Sequence, residues 1–568
     1  MLLGKIKNIT GGKDMKNLKK IVVLAMIATM ALSVFAGCGT QSGSDTETTT
    51  AAASAAAGET TAPPDPLADP MEISLAMWDI GQALAGEQDA VRDTLYKKLN
   101  ITIKPLNVTW DDYTQKIQVW AASDQLPDIF AIDVIGTQNY KNWIEQGIVQ
   151  ALPDDLSQYP NLEKWMNGSG MDIYKYPVND PNGKFYAIPR LSSFSADEWA
   201  NNVGVVIRKD WMANVGITKE PESMDEFIAL MKAFVENDPD KNNKKDTIGL
   251  TCFNADWLTW FFGAYEPGLL GGATNWVRDA ENPGKWIPSF MTKNALEGLK
   301  ALKRLYDAGG LDKDFAALKG EEGEDKFASG KAGAYSHDVT PGTLQYLNDK
   351  YVKNFPDKKY EDAISILKPF KNVNDGQYYR YIANPAWSET LINAKVDAKK
   401  ADRIMRLFDY VIGEEGYNLI HFGIEGSDWK KVGDKIVLIP KLDEAGNTKP
   451  LTTLYPFTKA GFIAEWSGTH QYTNPSRTPE LQKMSSDMND WMIANAKPAP
   501  IDLRIPLFDL PDKDKAISAK FFSEMTIKCI MSNDVEKTWK DLVNQCIGNG
   551  YNKLMEEVNA ECAKLGIK

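Results

Sequence analysis

Alternating apolar and polar positions open the body of the chain. Ile73, Leu75 and Met77 alternate with polar residues and predict a strand running into Trp78-Asp79. Glu87 to Leu99 reads as a helix, Ile101-Thr102-Ile103 as a second strand, and Thr109 as the cap of a helix reaching Ala122. Asp128 to Asp133 is a third strand. This β-α-β-α-β order argues for an α/β lobe built on a mostly parallel sheet. Ligands of such sheets bind beyond the carboxyl ends of the strands, which points at Trp78, Asp79 and Asp133. Further on, Ser223-Met224-Asp225-Glu226 is a capping box ahead of an apolar face of Phe227, Leu230, Met231, Phe234 and Val235. Tyr378 to Pro385 reads as a strand, Ala398 to Leu419 as helix, and the stretch from Lys515 as amphipathic helix.

The first 70 residues follow another pattern. Lys16, Lys19 and Lys20 precede an uncharged apolar run, Ile21 to Gly37, that ends in small residues before Cys38. This is the layout of a secretory signal peptide. Phe35-Ala36-Gly37-Cys38 resembles the lipobox of bacterial lipoproteins, with Phe35 in place of the usual Leu, so residues 1–37 are expected to be removed and Cys38 lipidated. Met15 is a second candidate start. Residues 39–70, rich in Thr, Ser, Ala and Pro with Leu67 as their one leucine, are expected to form a disordered tether. That places the body outside the cytoplasm, anchored to the bacterial cell membrane.

Composition removes several function classes. With 64 basic and 77 acidic side chains the formal charge is −13, which argues against nucleic acid as a partner. Five cysteines in 568 residues exclude a disulfide scaffold and leave open whether Cys252, Cys529, Cys546 and Cys562 pair. The patterns for zinc hydrolases, serine hydrolases, phosphate-binding loops and dinucleotide binding are absent. The histidines, His337, His421 and His470, are spaced unlike a metal site. Sixteen tryptophans are the composition's excess. Most must fill core, while a minority could line a cleft where indole faces stack on sugars.

One loop has cation-binding spacing. In Asp238-Pro239-Asp240-Lys241-Asn242-Asn243-Lys244-Lys245-Asp246, oxygen-bearing side chains stand at positions 1, 3, 5 and 9, and Lys244 could offer its carbonyl at position 7. Asn243 replaces the usual Gly, and Gly249 stands where a bidentate Glu is usual. The alternative is an Asx-rich turn after a helix.

Together these stretches resemble extracellular solute-binding protein family 1, the substrate-binding lipoproteins of ABC importers, in its LipO-like branch. The resemblance is carried by the lipobox and tether, Leu126-Pro127-Asp128-Ile129, Asp180 to Arg190, Ile207-Arg208-Lys209-Asp210-Trp211, Asn237 to Asp246, Phe422-Gly423-Ile424-Glu425-Gly426 and the Trp539-containing helices. It implies a two-lobed α/β clamp of the periplasmic-binding-protein type II, closing on a ligand between lobes. The N-terminal lobe would hold 71–189 and 377–468, and the C-terminal lobe 190–376 and 469–568. It implies no catalysis, an oligosaccharide ligand, an ABC permease partner and a monomer. By matching positions, the ligand contacts would be Trp78, Asp79, Asp133, Arg190, Asp256, Trp257, His337, Trp387 and Trp466. A structural Ca²⁺ would use Asp238, Asp240, Asn242, Lys244 and Asp246, with Thr247 replacing the family's acid after that loop. Arg208 and Lys209 read as a solvated or salt-bridged turn. The alternatives are a peptide or small-solute binder in the same fold, a surface glycosidase, and an adhesive lipoprotein.

Overall fold

The computed structural model describes residues 65–568, except 110–111, 169–170, 179, 181, 194–195, 273–274, 319–320, 385, 445–447, 466–469 and 514–518. Cys38, the signal segment and most of the tether therefore lie outside the described residues, as does Trp466.

Eleven strands are needed to place the site. They are β1 (Met71–Trp78), β2 (Ile101–Val108), β3 (Ile129–Ile132), β4 (Ala187–Leu191), β5 (Gly204–Arg208), β6 (Ile248–Cys252), β7 (Ala332–His337), β8 (Ile364–Ile366), β9 (Tyr378–Arg380), β10 (Ala386–Ile392) and β11 (Ala496–Pro498). The first sheet has the order β2-β1-β3-β10-β4 and the second β8-β5-β7-β6. In the first, β1 runs parallel to β2 and β3, while β10 is antiparallel to both β3 and β4. In the second, β7 is parallel to β6 and antiparallel to β5. Each sheet has its own apolar core. Ile73, Leu75, Ile129, Ile188 and Phe408 belong to one; Val205, Ile207, Phe227, Leu250 and Phe261 belong to the other. The strand β9 pairs with β11 in a separate two-stranded ribbon.

Local details correct the reading at several points. The helix expected to start at Thr109 begins at Tyr113, because Asp112 turns its carboxylate back onto the Thr109 N–H at 2.7 Å. In the capping box Ser223 Oγ accepts from the Glu226 N–H, but Glu226 reaches past Ser223 to the Glu222 N–H, so only half the box forms. The expected helix 398–419 is two helices, Ala398–Ile412 and Glu414–Phe422, broken at Gly413. The strand β4 carries Arg190 and Leu191 within the first sheet, past the expected boundary at 189. Of the two readings of Arg208 the salt-bridged one holds: it is buried and makes a bidentate pair with Asp210 (2.7 and 2.6 Å).

The last residues of the expected tether are ordered. Arg403, 0% exposed, donates from Nη2 to the carbonyl of Pro66 at 2.6 Å and from both Nη1 and Nη2 to that of Asp69 at 3.2 Å. Its Nη1 also serves the carbonyls of Leu99 and Asn100. One buried guanidinium, with five donors to satisfy, thus fastens residues 66–69 to the turn at Leu99 and Asn100 just before β2. Cys252, Cys529, Cys546 and Cys562 are free and buried. Among the described residues no helix is long and apolar enough to cross a membrane.

Candidate functional site

The topology brings five of the expected contacts to one end of the first sheet. Trp78 ends β1, Asp79 follows it, Asp133 follows β3, and Arg190 stands near the end of β4. Because β10 runs antiparallel, its first residues, including Trp387, arrive at the same end. The register of β10 against β4 shifts between Ala386 and Glu389, and Ser388 within that bulge has a left-handed φ of 63°. A bulge bends a strand and re-aims its side chains. Here it leaves Trp387 half-buried at the sheet end.

The side chains at this end divide into buried and open ones. Trp78 is 1% exposed, so it is not an open stacking platform. Its ring meets Tyr113 edge-on at 4.8 Å, Trp387 at 5.6 Å and the Arg190 guanidinium at 4.6 Å. Arg190 is itself 0% exposed and donates from Nη1 to Ser388 Oγ at 2.7 Å. Burial pushes its guanidinium down to about 9, against the pull of Glu389. Asp79 is half-buried with a left-handed φ of 58°. Asp133 keeps an open face, yet the protein around it removes enough water to raise its carboxyl above the ordinary value.

A residue outside the expected set joins them. Glu389, 3% exposed, accepts from the N–H groups of Val134 and Ile135 at 3.1 and 3.3 Å, so it holds the backbone just after Asp133. Burial raises its carboxyl to about 8, helped by Asp133 and opposed by the two N–H groups and Arg190. The one sequence signal for it is an acid inside the otherwise uncharged run Ala386–Ile392.

The second sheet presents a matching end. The parallel strands β6 and β7 finish side by side. After β6, Asn254 caps a 3₁₀ stretch, Ala255–Ala264, by accepting from the Asp256 N–H. Trp257 lies on that stretch, five residues beyond the strand end, and is half-buried. His337 ends β7, with its ring 4.1 Å from Trp257 and 4.6 Å from Phe253, and its Nδ1 3.1 Å from Asp338. Asp256 is exposed, and the surrounding protein raises its carboxyl; the Ser523 hydroxyl opposes this. Among the described residues of the expected set, Trp257 and Trp387 are thus the accessible indoles, Trp257 with Asp256 beside it.

A separate open groove of about 1440 Å³ runs past the edge strand β4, between Trp165, Leu191, Tyr417, Phe422, His470 and Gln482. None of the expected contacts that the structure describes lines it.

The acidic loop is an ordered turn. Asp238, Lys241 and Asn243 take left-handed φ values, and the Asp238 carboxylate accepts from the N–H groups of Asn242 and Asn243. Asn242 Nδ2 donates to Asp240 Oδ2 at 2.7 Å and Asp246 Oδ1 at 3.0 Å, so its amide stands between the two carboxylates. Asp240 Oδ1 is buried without a hydrogen-bond partner, and its carboxyl is raised by burial and by Asp238 and Asp246. Thr247 turns away, donating to the Phe234 carbonyl. Among the described residues no group of three or more His, Cys, Asp or Glu is placed to hold a metal ion. The loop's donors are all hard oxygens, however, and the orphaned Asp240 oxygen fits a cation that would displace the Asn242 amide hydrogens.

Known proteins share this architecture. The chain is 29% identical over 456 residues, 77% of its length and 80% of the relative's, to the polygalacturonan/rhamnogalacturonan-binding protein YtcQ of Bacillus subtilis (strain 168). Lipoprotein LipO of the same organism is 30% identical over 338 residues, 58% of this chain and 62% of its own. The solved structure of the S. pneumoniae ABC-transporter substrate binding protein FusA in complex with kestose superposes with a TM-score of 0.63 at 17% identity, covering 87% of this chain and 99% of that one. At that identity the superposition speaks for the two-lobed fold alone. The model of the family described as bacterial extracellular solute-binding protein matches residues 79–418. With this family match over most of the chain and these relatives, the chain belongs to the bacterial extracellular solute-binding proteins and is a binder, not an enzyme.

Proposed function

We propose that this protein captures an oligosaccharide between the strand ends of its two sheets and delivers it to an ABC permease. The observation that supports this most directly is the pair of half-buried indoles, Trp387 at the end of the first sheet that also carries Asp79 and Asp133, and Trp257 beside Asp256 past the end of the second, where the carboxylates can accept from sugar hydroxyls. A ligand touching both ends stabilises the closed arrangement over the open one, and a permease can read that difference. The names of YtcQ, a polygalacturonan/rhamnogalacturonan-binding protein, and of FusA, solved in complex with kestose, point to the same ligand class. The lobes would be 71–189 with 377–468 and 190–376 with 469–568, adjusted by the two residues that β4 adds to the first. The body would act as a monomer, held to the membrane through a lipid on Cys38.

Calorimetric titration against oligosaccharides of several backbones tests this reading. One sugar series is expected to bind, and Trp257→Ala and Trp387→Ala are each expected to weaken it by about tenfold, or 1.4 kcal/mol. A response to peptides alone, or affinity indifferent to both substitutions, overturns it.

The acidic loop is proposed to hold Ca²⁺ through Asp238, Asp240, Asn242, the Lys244 carbonyl and Asp246. A bound ion would fix the turn that follows helix Met224–Glu236 and would serve structure only. Chelation is then expected to lower the melting temperature, and added Ca²⁺ to restore it. Asp240→Asn should abolish the response. A melting curve unmoved by chelator speaks for a plain Asx-rich turn.

A further inference from the structure

The charges at the two strand ends bear on which sugars the site accepts, an inference that rests on the carbohydrate reading above. The first end carries Asp79 and Asp133, with Glu389 directly behind Asp133. The second carries Asp256 beside Trp257, and Asp338 against the ring nitrogen of His337. A site for an acidic sugar needs a cation aimed at the ligand, ideally an arginine in bidentate geometry. Arg190 is the expected candidate, but it is 0% exposed, committed to Ser388 Oγ and laid over the buried Trp78 ring. The cationic form of His337 has its counter-charge in Asp338.

We infer that the site selects neutral oligosaccharides and rejects uronate chains, with Asp133 and Asp256 accepting hydroxyl protons and repelling a ligand carboxylate. Burial raises the carboxyls of Asp133, Asp256 and Glu389 alike, so these surroundings already disfavour negative charge before a ligand arrives. Specificity of this kind comes from a repulsive element as much as from attractive contacts. It separates this chain from its relative YtcQ, named for polygalacturonan, despite the shared fold.

The test is calorimetric titration of the intact protein at low ionic strength with two sets of tetrasaccharides. The neutral set is xylotetraose, mannotetraose, maltotetraose, arabinotetraose and nystose; the acidic set is tetragalacturonate and tetramannuronate. The tightest ligand is expected to be neutral, with each uronate at least about tenfold weaker. Added salt should narrow that gap, because exposed charges are screened. Asp133→Asn should narrow it as well while leaving the protein folded by its melting curve. A uronate bound as tightly as the best neutral sugar overturns the inference and keeps the carbohydrate reading. Silence in both sets overturns the carbohydrate reading, and the inference falls with it.

Discussion

Replacing Trp78 by alanine is expected to destabilise the protein by about 3–5 kcal/mol, the cost of emptying a large buried site. The indole is 1% exposed and is packed by Tyr113, Trp387 and Arg190 at 4.8, 5.6 and 4.6 Å. Its loss opens a cavity at the sheet end and strips the ring from a guanidinium that burial already penalises. The half-buried Trp257 gives the contrast. Trp257→Ala leaves a partly open surface that solvent can fill, so its stability cost should be near 1 kcal/mol while its effect on ligand affinity is full. Urea unfolding of both variants checks the pair. Equal, small losses in the two would show that Trp78 is as accessible as Trp257, and its burial would have to be abandoned. Under the proposed function the two divide the labour: Trp78 builds the floor on which Trp387 is presented, and Trp387 would meet the ligand.

That division was not visible in the sequence, although the location was. The alternation Ile73, Leu75, Met77 and the apolar run into Asp133 are local signals, and they place both strand ends at the same side of a parallel sheet. Trp78 is buried by Tyr113, by Arg190 and by Trp387 some three hundred residues later, and no local pattern encodes those meetings. Glu389 escaped for the same reason. Its role arises because β10 inserts between β3 and β4 and sets Glu389 opposite Ile132 and Pro189. The tether's last residues read as disorder because they bury nothing themselves, and the order comes from Arg403 reaching back to Pro66 and Asp69. Where the determinants were short-range, as in the apolar face Phe227–Phe234, the reading and the structure coincide.

Glu389→Gln is expected to make the protein more stable than its parent at alkaline pH and to leave it similar near pH 5. The sign follows from linkage. Glu389 has a carboxyl raised from the ordinary 4.5 to about 8 in the folded chain. Between those values the native state binds a proton that the unfolded state has released, so stability falls as pH rises through the window. The slope is about 1.4 kcal/mol per pH unit while the difference lasts. The groups facing it are Asp133 just after β3, Arg190 on β4 and the ring hydroxyls of Tyr140 and Tyr174. Glutamine keeps an oxygen to accept from Val134 and Ile135 and cannot ionise, so the parent-minus-variant difference isolates this one titration. Melting temperatures of both proteins from pH 5 to about pH 8.5 provide the check. Parallel curves would mean that Glu389 is already ionised at pH 5, held by Arg190. Diverging curves would mean that a neutral acid anchors the Asp133 loop at physiological pH, which keeps one negative charge fewer beneath the ligand and leaves Asp133 as the carboxylate that meets it.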